Sequence, residues 1–227
     1  MKKNCFLIAL FCSSIILGDS IFSPAFAKKV DRKGHVLTSN SSIRPVSSSF
    51  LDLPLTVDVT KEVDFRDLLL QLARDWNVSL ILGKEARGRV SLSEEQINIL
   101  KDKKSTVKDF LNVLSETKKL EWIIWKNVLL IGEPLAIKKC ISLLNQPNPI
   151  LQNSGKTINA EFYQTNLNSL AKQLSEFSEL NIAVSEGIHN YVTMRLASIP
   201  WEQALIGLVY LNGFQMVISD FSVLITP

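Results

Sequence analysis

Leu167-Asn168-Ser169-Leu170-Ala171-Lys172-Gln173-Leu174-Ser175-Glu176-Phe177 places Leu167, Leu170, Ala171, Leu174 and Phe177 at helical spacing down one side, with Asn166 in front as a cap. The same plan runs 102 residues earlier, where Phe65, Val78 and Val90 precede Leu167, Leu180 and Val192 by that interval. Further on the interval falls to 94, because Phe110, Leu111, Leu114, Leu120 and Ile131 match Ala204, Leu205, Leu208, Phe214 and Ile225. The first copy therefore carries eight extra residues within 93–105. Residues 56–132 and 157–227 each read as strand, helix, two strands, helix, two strands. A repeat of this length predicts two small modules, each with its own core and not part of one large one. Apolar positions are shared and polar ones mostly are not, which predicts a common fold without a common binding surface.

Outward from the repeats, the chain begins with an address. Lys2 and Lys3 precede an apolar run from Cys5 to Leu17, and Ser23-Pro24-Ala25-Phe26-Ala27 supplies the small residues a signal peptidase reads. The run is too short to span a hydrocarbon core, so a secretory signal peptide over 1–27 is expected, not an anchor. Phe11 before Cys12 is too bulky for the usual lipoprotein processing site. Cleavage removes Lys2, Lys3 and Asp19 and takes the formal charge from +3 to +2. A nearly neutral chain without a basic stripe does not read as a nucleic-acid binder. Cys5 and Cys12 leave with the signal, so Cys140 stands alone and cannot close an intrachain disulfide. Its neighbours Ile137, Ile141 and Leu144 mark it as a small core residue.

Residues 28–54 are rich in Ser, Thr, Asn and charge and show no period, which reads as a flexible leader. A first module spans 55–146, a linker 147–156, and a second module 157–227. In the second module, 157–163 alternates with Ile158, Ala160 and Phe162 on one face. Strands 181–184 and 191–196 flank Glu186-Gly187. Ser198 and Pro200 open a second helix with Trp201, Ala204, Leu205 and Leu208 inward, Asn212-Gly213 ends it, and 215–219 with 222–226 form a hairpin. In the first module Asp64 caps a helix bearing Phe65, Leu68, Leu69, Leu72 and Trp76, and 78–82 is an apolar strand. Thr106 with Asp109 resembles a capping box, and the hairpin 121–125 and 128–131 turns at Lys126-Asn127. A third helix, 134–145, follows this copy only, stopped by Gln146-Pro147-Asn148-Pro149. The class expected is α+β, two helices against small sheets in each module.

Chemistry is sparse. His35 lies in the leader and His189 in a turn, so no histidine pair has metal-ligand spacing, and no CxxC is present. Gly83-Lys84-Glu85-Ala86-Arg87-Gly88-Arg89 follows a strand but lacks the Gly-x-x-x-x-Gly-Lys-Ser/Thr order, and reads as a solvated turn. No catalytic triad can be nominated. The expectation is a protein that is not an enzyme and takes no cofactor or metal.

What remains is shape and edges. Short sheets present unpaired strand edges to which an extended partner can add. Trp76, Trp122, Trp125 and Trp201 sit on repeated elements, where core packing outweighs interface anchoring for each. Residues 122–125 are apolar on both faces, which points to a docking face or to packing against the added helix. The candidate interface residues are Trp122, Trp125, Trp201, Val223 and Ile225, the last two on the 223–226 edge.

Leu180-Asn181-Ile182-Ala183-Val184-Ser185-Glu186-Gly187, then Val192-Thr193-Met194-Arg195-Leu196 and Ile199-Pro200-Trp201-Glu202-Gln203-Ala204-Leu205, resembles the short amino-terminal domain shared by secretins and TonB-dependent receptors. The likeness is greatest to the periplasmic amino-terminal domains of type IV pilus and type II secretion secretins, and it covers the second copy end to end. In the first copy, Ile131-Gly132-Glu133-Pro134 and Leu143-Leu144-Asn145-Gln146-Pro147 are similar to the strand, helix and close of secretin periplasmic domains. The resemblance implies a periplasmic, non-catalytic module that stacks into rings or another homo-oligomer and contacts a secretin channel or an inner-membrane alignment protein. No pore-forming β domain is read in the 227 residues. The expectation is thus an accessory protein or a truncated secretin, not the channel, with no transmembrane segment after signal cleavage. Alternative roles implied by the same likeness are a signalling module that contacts a membrane regulator, and a cell-wall-binding module.

Overall fold

Four of the α-helices begin where a side chain accepts from their unpaired first amides. The Asp64 carboxylate accepts from the Arg66 and Asp67 amides at the start of α1 (Phe65–Asp75), and Thr106 and Asp109 form the expected reciprocal box at the start of α3 (Val107–Lys118). Between these helices lies α2 (Glu94–Lys101), opened by a Ser93–Gln96 capping box. It occupies the eight-residue excess that the repeat intervals place within 93–105. The computed structural model describes residues 48–55, 62–102, 104–146, 155–219 and 221–227. The signal-peptide reading, the leader as far as residue 47, the first strand before residue 62 and linker residues 147–154 lie outside the described residues.

The molecule is α+β. Its first half contains β1 (Glu62–Asp64), α1, β2 (Ser79–Leu82), β3 (Arg89–Ser91), α2, α3, β4 (Glu121–Trp125), β5 (Val128–Gly132) and α4 (Pro134–Leu144). Its second contains β6 (Thr157–Asn166), α5 (Leu167–Ser178), β7 (Asn181–Val184), β8 (Tyr191–Pro200), α6 (Trp201–Leu211), β9 (Gln215–Ser219) and β10 (Ser222–Thr226). Strand pairing repeats with the order. β1 pairs antiparallel with β3, β2 runs parallel to β5, and β4 closes antiparallel on β5. Likewise β6 pairs antiparallel with β8, β7 runs parallel to β10, and β9 closes antiparallel on β10. Left-handed residues recur at the same intervals, Asn77 with Glu179 after α1 and α5, and Lys119 with Gly213 after α3 and α6. Each lets a helix end on a sharp reversal.

The halves meet through one additional pairing, β2 antiparallel to β8 through Leu80↔Arg195 and Ile81↔Met194. That junction fuses three strands of the first repeat and two of the second into the sheet β4-β5-β2-β8-β6. The expectation that each repeat encloses its own core is corrected accordingly. One cluster, with Phe65, Leu69, Leu80, Phe110 and Ile131, belongs to the first repeat, while the other joins Ile81, Val128 and Leu130 to Phe162, Leu170, Leu205 and Ile225. The cause is α6, whose residues from Ala204 to Val209 are all apolar and buried, so that it covers two faces. Its outer side lies on β2 and β5, where Gly207 lets Ile81 approach: a Cβ there would stand 2.6 Å from Ile81 Cδ1. At Gly83 a Cβ would stand 2.7 Å from the Leu211 carbonyl.

Two boundaries differ from the sequence reading. Residues 48–54, read as leader, include a 3-10 turn (Ser48–Asp52) that buries Phe50 against Trp76, ring centroids 5.6 Å apart, and Pro54 bridges Thr106. The apolar Phe50 accounts for this, since the first cluster gives it a place to leave water. The second helix of the second repeat opens at Trp201 and not at Ser198, because β6 holds β8 in register through Ile158↔Ile199 and Thr157↔Pro200.

Candidate interaction surface

Four of the five candidate interface residues are spent on the core. Trp201, Val223 and Ile225 are buried, and Trp125 is nearly so, its indole Nε1 donating to Asn145 Oδ1 at 3.1 Å with Lys126 Nζ 4.4 Å from the ring centre. The 223–226 segment is not an edge either: β10 is the middle strand of β7-β10-β9. Trp122 is half-buried on the first cluster and donates to Asn112 Oδ1 at 3.0 Å. The two apolar faces of β4 thus have separate covers. Trp122 and Ile124 face the first cluster, and Ile123 and Trp125 face the second beside α4, so packing against the added helix is the reading that the structure realises.

An exposed apolar surface lies elsewhere, on the outer face of β7-β10-β9. Val217 on β9 pairs with Leu224 on β10, which pairs with Ala183 on β7, and all three side chains point to solvent. Val217 is 59% exposed, Leu224 40%, and Phe221 in the hairpin turn 81%. The sequence carried a signal for these residues: in 215–219 the inward pair is Met216 and Ile218, so Val217 must face away with Leu224 opposite. Polar residues complete the face, and the outward positions Asn181, Gln215, Ser219 and Ser222 carry no charge.

One edge of this sheet is partly closed by its own helix. In β7, Asn181 and Ser185 donate to Phe221 and Ile225 of β10, so Ile182 between them turns its amide and carbonyl outward. Ser175 Oγ takes both, accepting from the Ile182 amide at 2.8 Å and donating to its carbonyl at 3.2 Å. The residue equivalent to Ile182 in the first repeat is Leu80, which pairs with Arg195 of β8. Ser175 is replaced there by Ala73, whose side chain offers no hydrogen bond. Burial pushes the Tyr210 phenol, on the helix before β9, above its ordinary pKa.

Ionisable groups gather at the junction of the repeats. Arg74 binds both Glu161 carboxylate oxygens, with Nε donating to Oε2 at 2.9 Å and the Nη2 contact closing the fork. The bond to Glu161 raises the Arg74 pKa. Arg195 donates to the Val78 carbonyl at 2.6 Å and to Asn77 Oδ1 at 3.0 Å, and burial lowers its pKa. Ser79 Oγ extends the short β2·β8 ladder by accepting from the Ala197 amide and donating to its carbonyl. These groups lock one repeat to the other. Cys140 is buried, and burial pushes its thiol up to about 12. Among the described residues no three His, Cys, Asp or Glu side chains are placed to hold a metal ion, and no helix is long and apolar enough to cross a membrane. Comparison with known proteins finds no matching family model, no matching curated protein and no matching solved structure.

Proposed function

We propose that the chain is an exported, non-catalytic protein–protein interaction module of the kind found at the amino termini of secretins, acting in the periplasm in pilus biogenesis or type II-like secretion without itself forming the pore. The observation that carries the reading is the uncharged, partly apolar outer face of β7-β10-β9, presented by the repeat whose sequence resembles those domains. The residues of that resemblance have structural duties here. Val192, Met194 and Leu196 point β8 into the core, Pro200 precedes the first turn of α6, and Trp201 and Leu205 are buried. They serve the fold of this repeat and leave the partner to be chosen by the exposed face.

The test is affinity capture from the native host with the full-length chain as bait. Recovery of a secretin or of an inner-membrane alignment protein is the expected result. A capture that yields neither, under conditions that retain other periplasmic complexes, contradicts the proposal.

A further inference from the structure

We propose that the outer face of β7-β10-β9 receives an amphipathic helix from a partner protein, laid across the strands as α4 and α6 lie across β4-β5-β2. This rests on the interaction-module reading and names its surface and the form of the partner. The intervals of the repeat make the two faces equivalent position by position: Ile81 with Ala183, Ile123 with Val217, Leu130 with Leu224. In the first repeat those side chains join a cluster with Ile137 and Cys140 of α4 and Ile206 of α6. In the second repeat they meet solvent.

Two further observations select a helix over an extended strand. Strand addition needs free backbone groups along an edge. Ser175 holds the outward amide and carbonyl of Ile182 on β7. A helix makes no demand on those groups, because its own backbone bonds are internal. The charge pattern sets the chemistry of the contact. The outward positions of the three strands are neutral, so the matching helix stripe is aliphatic and uncharged, as are Ala136, Ile137, Cys140, Ile141 and Leu144 of α4. Phe221, at the end of the hairpin, gives the stripe an aromatic stop.

The experiment supplies such a helix in cis. A second copy of residues 134–146 is fused after Pro227, so that it follows β10 as α4 follows β5, and hydroxyl-radical labelling of the full chain is read by mass spectrometry. Labelling of Val217, Phe221 and Leu224 is expected to fall to the rate of Ile123 and Leu130, with a gain in helical circular dichroism. Leu224→Lys in the same fusion restores fast labelling at Val217 and Phe221 while the remainder of the chain stays protected. Because Leu224 faces solvent, that substitution leaves the fold intact. Unchanged labelling in the fusion overturns the proposal, as does protection that survives Leu224→Lys. Failure of affinity capture beside a protected fusion removes the secretion role and leaves the helix site standing.

Discussion

In the first repeat the sheet β4-β5-β2 has Ile123 and Leu130 under helices and the edge of β2 joined to β8. The sheet β7-β10-β9 has the same pairing, yet Val217 and Leu224 stand in solvent and Ser175 occupies the equivalent edge. Strand order is therefore set by the repeated apolar positions, while what covers the finished sheet is set by residues the repeats do not share. Gly207 stands where the first repeat has Val113, Ser175 where it has Ala73, and α4 follows β5. A module can keep its fold and change its surroundings through a handful of such sites.

The sharpest way to break the comparison is to truncate equivalent leucines. Leu130→Ala removes a fully buried side chain and is expected to cost about 2–5 kcal/mol in chemical denaturation. Leu224→Ala, at the matching exposed position, is expected to stay within about 0.5 kcal/mol of the parent. Equal losses would mean that the second face is covered after all.

Gly207→Val gives α6 the residue that α3 carries. The added side chain meets Ile81, and overpacking is expected to cost about 1–3 kcal/mol, read as a lowered denaturation midpoint at unchanged slope. Ser175→Ala gives α5 the residue that α1 carries. It leaves the Ile182 amide and carbonyl without their side-chain partner, an expected loss of about 1–2 kcal/mol, with faster hydrogen exchange confined to the Ile182 amide.

Capping supplies the smallest contrast. Thr106 and Asp109 box the start of α3, whereas Pro200 at the start of α6 offers no side-chain bond. Thr106→Ala is expected to cost about 1 kcal/mol at neutral pH. The Thr106 amide, and then its hydroxyl, hold the Asp109 carboxyl below its ordinary pKa. A depressed carboxylate contributes stability that is fully present above its unfolded value near 4 and is lost as pH falls through the folded value. The difference between Thr106→Ala and the parent should therefore shrink below about pH 4, and a gap that widens in acid would contradict the assignment.

Much of the architecture was legible because it rests on local rules. The Asp64 cap, the Thr106–Asp109 box, the turn at Lys126-Asn127 and the hairpin ending at Thr226 each follow from neighbouring residues. The junction was not legible, since Leu80 and Arg195 are far apart in the chain and nothing in either strand announces a partner. Helix α2 was hidden in an interval treated as an insertion, although Ser93 and Gln96 spell its start. Trp201 is an apolar position on a repeated element, and repetition of an apolar position marks the core, whereas Val223 and Ile225 sit on a strand read as an edge that β7 closes. The exposed Val217 and Leu224 sit where the inward alternation requires an outward side chain, and Phe221 lies in the turn between their strands.

The most direct measurement is hydroxyl-radical labelling of the unmodified full-length chain, compared residue by residue between the repeats. Val217, Phe221 and Leu224 are expected to react rapidly, while Ile123, Leu130 and Val223 stay protected until the protein unfolds. Protection of Val217 and Leu224 equal to that of Ile123 and Leu130 would contradict a covered first sheet and a bare second one.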